Sequence, residues 1–86
     1  MSWLPGVDKT LHSPGHRRLV LMLADARHAA GLSQAELAAL LGRTQSFVGY
    51  YETGQRRIDV VEFAAICDAL GVKPSTMLRR WERGQA

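Results

Sequence analysis

At 86 residues the chain has room for one domain around one core, and a domain of this size buries only about 60% of the surface its unfolded chain exposes. Its longest apolar run, Leu19 to Ala24, is far short of the roughly 20 residues a membrane span needs, and the N-terminus lacks the basic and apolar regions of a secretory signal, so a cytoplasmic protein with no membrane role is expected. The single cysteine, Cys67, excludes an internal disulfide and has no neighbour at metal-ligand spacing, while a net charge of +3 is by itself weak evidence for an anionic partner.

Residues 1–12, "MSWLPGVDKTLH", show no periodicity and read as an arm ahead of a domain at 13–84. Ser13-Pro14 is a helix start, with serine as N-cap and proline where its missing N–H costs nothing. Leu19, Met22, Leu23, Ala26 and Ala30 then recur at three and four residues, one apolar helical face that Gly31 closes. Ser33-Gln34-Ala35-Glu36 is a capping box and opens a second helix through Leu37, Ala38, Leu40 and Leu41, stopped at Gly42. Only two residues later Thr44 offers a new N-cap, and a third helix runs from Gln45 to about Thr53, before Gly54. Asp59 to Glu62 repeats the capping box; Val60, Phe63, Ala64, Ile66, Cys67 and Leu70 form its apolar face, closed by Gly71. Pro74 opens a fifth helix carrying Met77, Leu78 and Trp81. Short helices without a strand signal make an all-α, five-helix bundle.

Two helices joined by a glycine-containing turn of three residues, Gly42-Arg43-Thr44, describe a helix-turn-helix at about 34–53, whose second, recognition helix (about 45–53) would enter the major groove of DNA. Ala38 is small where two helices approach, and Leu37, Leu41, Val48 and Tyr51 are expected to face inward. Basic charge gathers at the same place: Arg43, Arg56 and Arg57 stand with one acid, Glu52, whereas Asp59, Glu62 and Asp68 all follow. A solvated basic loop is the plain alternative for that cluster.

From Arg27 to Leu70 the chain closely resembles the Cro/C1-type, or XRE-type, helix-turn-helix regulators of phages and bacteria. "GLSQAELAALLG", "QSFVGYYETG" and "EFAAICDALGV" match that pattern in order and spacing. The resemblance implies a lambda-repressor-like domain that binds double-stranded DNA. It implies base contacts from Gln45, whose amide can pair with an adenine edge, and from Ser46, Gly49 and Tyr50. Gln34 matches a glutamine that contacts a phosphate and braces its neighbour Gln45. Arg43, Thr44, Arg56 and Arg57 are the other expected phosphate contacts, which position the protein without reading sequence. Arg43 departs from the family, which commonly has an apolar residue there. Arg27 and Glu52 match a structural ion pair, a surface pair of little consequence being the alternative. Tyr50 and Phe47 are left open between groove and core.

Such proteins usually bind inverted repeats as dimers, half-site centres lying about 34 Å apart. The dimer contact is expected from Met77, Leu78 and Trp81 with Trp3 and Leu4 of the arm, unless the tryptophans pack over the protomer's own core. Lys9, Arg17 and Arg18 are either flanking phosphate contacts or a solvated helix start. His12, His16 and His28 are not spaced as a metal site, and Cys67 reads as a small core residue. Asp25, Glu62 and the histidines make no paired acid and base, so no enzyme is expected, nor a cofactor or small-molecule ligand. The leading function is a transcriptional regulator, a repressor acting as a homodimer; the alternative is the antitoxin of a toxin–antitoxin pair, with a protein partner.

Overall fold

The computed structural model describes residues 13–85, in which five helices follow one another: α1 (Pro14–Ala29), α2 (Gln34–Leu41), α3 (Gln45–Glu52), α4 (Val60–Leu70) and α5 (Pro74–Gln85). No strand occurs among the described residues. The expected arm, with Trp3, Leu4, Lys9 and His12, lies outside them.

Local chemistry sets each boundary. The Ser13 hydroxyl accepts from the His16 N–H at 3.1 Å, and Pro14 fills the first helical position of α1. At α2 both halves of the capping box are made: Glu36 N–H donates to Ser33 at 3.0 Å, and Ser33 N–H donates to the Glu36 carboxylate at 2.8 Å, which satisfies two of the amides that every helix start leaves without a partner. These bonds hold the Glu36 carboxyl below its ordinary value. Asp59 and Glu62 do the same for α4. The decisive turn is at Gly42, which ends α2 in the left-handed region at φ 66°, where a side chain is strained and glycine is not. Arg43 N–H bonds back to the Ala38 carbonyl at 2.9 Å, and the chain is re-aimed within three residues. Thr44 caps α3 by position alone, because its side chain makes no cap hydrogen bond.

The core is assembled from Leu23 of α1, Leu37 of α2, Val48 and Tyr51 of α3, and Ile66 and Cys67 of α4, all completely buried. Met77 of α5, 2% exposed, closes it from below. Burying each large apolar side chain contributes on the order of 1.5–3 kcal/mol. Phe47 meets Tyr51 edge to face at 5.4 Å, a favoured aromatic geometry. The buried Tyr51 hydroxyl has no hydrogen-bond partner among the described residues, so the ring is held by packing rather than by its polar end. Burial pushes the Cys67 thiol up to about 11, so the thiol stays neutral inside the core.

Three inward faces differ from those read off the apolar residues. In α1 the buried residues are Val20, Leu23 and Arg27, while Leu19, Met22 and Ala26 are only partly buried against the core and Ala30 is the exposed C-cap. Leu40 is 62% exposed: at roughly 100° per residue it points about a quarter-turn off the stripe that Leu37, Ala38 and Leu41 make. Val60 is 81% exposed, because it is the first residue of α4 and the buried stripe begins a turn later, at Phe63.

Candidate nucleic-acid interface

α3 has two faces. Phe47, Val48 and Tyr51 are buried, and Gln45, Ser46 and Tyr50 are exposed, with Gly49 between them at the helix surface. Phe47 and Tyr50, adjacent in kind and left open by the sequence, are thus divided: Phe47 is 6% exposed and belongs to the core, while Tyr50 is 50% exposed. Gln34, Gln45, Ser46, Gly49, Tyr50 and Gln55 line one shallow concavity on this outer face. The four residues expected to read bases are therefore contiguous on the surface.

Gly49 owes nothing to packing. A Cβ there would lie 3.6 Å from Gln34 Oε1, an ordinary contact, and the helix conformation needs no glycine. Gly49→Ala is accordingly expected to raise stability by about 0.5–1 kcal/mol, read as a higher midpoint in thermal or urea unfolding, while weakening DNA binding by raising the helix surface. A lower midpoint would show that the glycine serves the fold instead.

A bidentate ion pair sets the angle of this face. Arg27 of α1 donates through Nε to Glu52 Oε2 at 2.7 Å and through Nη2 to Oε1 at 3.0 Å, and its Nη1 donates to the Leu32 carbonyl at 2.8 Å. Both side chains are 8% exposed. Gln34 completes the group by donating to Glu52 Oε1 at 3.0 Å, so its amide braces Glu52 and not Gln45. The Glu52 carboxylate at the end of α3 thus gathers α1 and the start of α2, and Arg27 adds the α1–α2 link through the Leu32 carbonyl. Burial works to raise the Glu52 carboxyl, but the hydrogen bonds from Arg27 and Gln34 and the Arg27 charge outweigh it and hold the group below its ordinary value. The Glu52 hydrogen bond raises the Arg27 guanidinium in return.

At the other end of the face, Arg43 and Arg56 do not stand free. Arg56 grips Glu62 with both arms, Nη1 to Oε1 at 3.1 Å and Nη2 to Oε2 at 3.0 Å, and Arg43 Nη1 reaches the same Oε2 at 3.2 Å. Both guanidiniums lie over the Phe47 ring, 4.0 and 4.8 Å from its centroid. Arg57 is exposed beside them. This clamp was not read from the sequence. Its signal was the capping box itself: a glutamate that caps with one oxygen has a second to offer, and arginines at the turn and in the following loop are near enough to take it.

Two further expectations change. Met77 is buried in the protomer's own core, so of the expected dimer residues it has no surface to give. Trp81 donates its indole N–H to the Gly15 carbonyl at 2.8 Å, and Arg18 donates to the Trp81 carbonyl and lies over its ring. These contacts tie α5 to α1 and occupy Arg18, leaving Leu78, 45% exposed, as the open apolar residue of that trio. Among the described residues no group of three or more histidines, cysteines or carboxylates is placed to hold a metal, and no helix is long and apolar enough to cross a membrane.

A short helix that begins three residues after a left-handed glycine, with a polar outer face and arginines at its flank, defines a helix-turn-helix protein. A family model for the helix-turn-helix domain matches residues 18–81. Among solved structures, an XRE-family-like protein from Pseudomonas syringae is 42% identical, with a TM-score of 0.83 over 94% of this chain and 99% of that one. The restriction-modification controller protein C.AhdI from Aeromonas hydrophila is 37% identical, with a TM-score of 0.66 over 70% and 87% of the two chains. The clp gene regulator ClgR from Corynebacterium glutamicum, 21% identical with a TM-score of 0.75 over 84% and 77%, shares the fold. No curated protein matches the chain. The chain belongs to the XRE-type helix-turn-helix family of DNA-binding transcriptional regulators.

Proposed function

We propose that the protein is a repressor that binds an inverted-repeat operator as a homodimer, reading bases with Gln45, Ser46 and Tyr50 across the low surface left by Gly49. The observation that carries this reading is the division of α3 into a buried apolar face and an exposed polar one. Polar side chains clustered on an otherwise small, apolar-cored helix have a use where a major groove presents hydrogen-bonding edges. Arg43, Arg56, Arg57, Gln34 and Thr44 flank that face and would hold it in register through phosphates. Dimerisation follows from need, because one eight-residue helix offers few base contacts and a second half-site multiplies them; Leu78 is the exposed apolar residue on α5 from which a partner would be built. The place of action is the compartment that holds DNA, the bacterial cytoplasm. The antitoxin alternative gains nothing from the relatives named above.

Selection of bound duplexes from a random pool tests the reading. The expected consensus has two inverted half-sites with centres about 34 Å apart, or one helical turn, and sedimentation of the complex gives two protomers per duplex. Selection of a lone half-site by a monomer would overturn the dimer, and no sequence preference at physiological salt would overturn the operator.

A further inference from the structure

The carboxylate of Glu62 receives four hydrogen bonds. One comes from the Asp59 N–H at 2.9 Å and completes the cap of α4; two come from Arg56 and one from Arg43. The Glu62 side chain is 16% exposed, whereas those of Arg43 and Arg56 are 41% and 38% exposed. The acid therefore sits beneath two arginines that remain open to solvent. Both arginines, with Thr44 and Ser46 at the start of α3, line a groove beside the base-reading face. A carboxylate and a phosphodiester present the same feature to a guanidinium, a pair of anionic oxygens spaced to fit its fork.

We propose that Glu62 is a positioning residue that stands in for a DNA phosphate, holding Arg43 and Arg56 in their binding pose while weakening their hold on any DNA. The proposal rests on the reading of those arginines as phosphate contacts. Two effects follow from the geometry. The guanidiniums are laid on Phe47 before DNA arrives, so less side-chain freedom is lost when they bind. Against this, two positive charges and one negative leave the cluster a net charge of one, and every phosphate that draws an arginine must part it from Glu62 or share it. The first effect concerns geometry and the second strength. Weaker backbone attraction applies to all sequences alike, so occupancy comes to depend on the base contacts of α3.

The mutation that isolates the charge is Glu62→Gln. Glutamine serves at this capping-box position as glutamate does, so the cap of α4 is kept and only the anion is removed. Binding of the full chain to a random-sequence duplex is measured by fluorescence anisotropy across a salt series, with helicity followed by circular dichroism. The proposal expects the variant to bind random duplex about five- to tenfold tighter at moderate salt, and its plot of log affinity against log salt to steepen by about 0.5–0.9, up to the share of one additional phosphate. A purely structural role for Glu62 moves the melting curve and not the salt slope. Unchanged affinity and slope, or weaker binding with helicity intact, overturns the proposal while leaving the DNA reading in place. If Glu62→Gln fails to fold, the native protein answers instead: the Glu62 carboxylate is held by Arg43 and Arg56, so its carbon-13 NMR shift should move as random-sequence duplex draws those arginines to phosphates; an unmoved shift at saturating duplex overturns the proposal. A native protein that binds no random duplex even at low salt overturns both this proposal and the phosphate-contact reading beneath it.

Discussion

Glu52→Ala is expected to destabilise the protein by about 3–5 kcal/mol, the cost of leaving a buried charge without its partner. Arg27 is 7% exposed and, without Glu52, keeps as hydrogen-bond partners among the described residues only the Leu32 carbonyl and the His28 ring. For a chain of 86 residues, whose whole stability is on the order of 4–13 kcal/mol, that is a large share of what holds it folded. Urea unfolding of the native and mutant proteins measures it directly, and a loss under about 1 kcal/mol would reduce the pair to a surface contact. The double variant Arg27→Met/Glu52→Leu separates an unpaired charge from a lost pair: apolar side chains of similar volume often replace a buried pair at little cost, so most of the stability should return. Acid gives the same answer by another route. The Glu52 carboxyl is depressed in the folded protein from its ordinary 4.5, so its contribution is present above that value and is lost as pH falls through the lower folded value. Stability of the native protein should therefore decline below about pH 5, and part of that decline should be missing in the double variant.

The same pair explains why apolar spacing alone misplaces the inward face of α1. Val20, Leu23 and Arg27 recur at three and four residues as surely as any apolar stripe does, but the last of them is charged, and a search for apolar periodicity passes over it. The residue that makes Arg27 a core residue, Glu52, lies 25 positions away and is invisible to any local pattern. Leu40 and Val60 fail in the opposite sense. Both are apolar, and both are exposed for reasons of position, Leu40 a quarter-turn off the buried stripe of α2 and Val60 at the first residue of α4, a turn before its buried stripe begins.

Boundaries were far more legible. Ser13-Pro14, the two capping boxes and the glycines at 42 and 71 are local hydrogen-bond and backbone chemistry, fixed by residues within four positions of one another, and the helices start and stop where that chemistry says. The outward polar run on α3 was legible for a related reason, since a turn of three residues leaves little doubt about which face follows. Contacts made by long side chains were not. Arg43 and Arg56 have long, flexible side chains, and only the folded chain brings both onto Phe47 and Glu62. Trp81 likewise meets Gly15 across 66 positions, so of the two readings the sequence left open, a partner contact or packing on its own protomer, the contact supports the second.

Gln45→Ala is expected to lower affinity for the selected operator by about 1–3 kcal/mol, roughly 5- to 150-fold, with affinity for random duplex unchanged. The side chain is exposed at the first position of α3, where it caps nothing and fills no space in the core, so its removal should leave the melting temperature where it was. With Gln34 donating to Glu52 rather than to Gln45, the Gln45 amide has both its donor and its acceptor to give to a base. A bidentate contact discriminates because the wrong base leaves one or both of those groups unpaired. The loss should therefore vanish on an operator whose matching base pair has been changed, and that dependence is the informative measurement. An equal loss on every sequence would move Gln45 from base reader to phosphate contact, and no loss on any would remove it from the interface. The comparison with Arg56→Gln completes the argument, since a phosphate contact should weaken operator and random duplex alike and flatten the salt dependence, whereas the base contact should leave that slope intact.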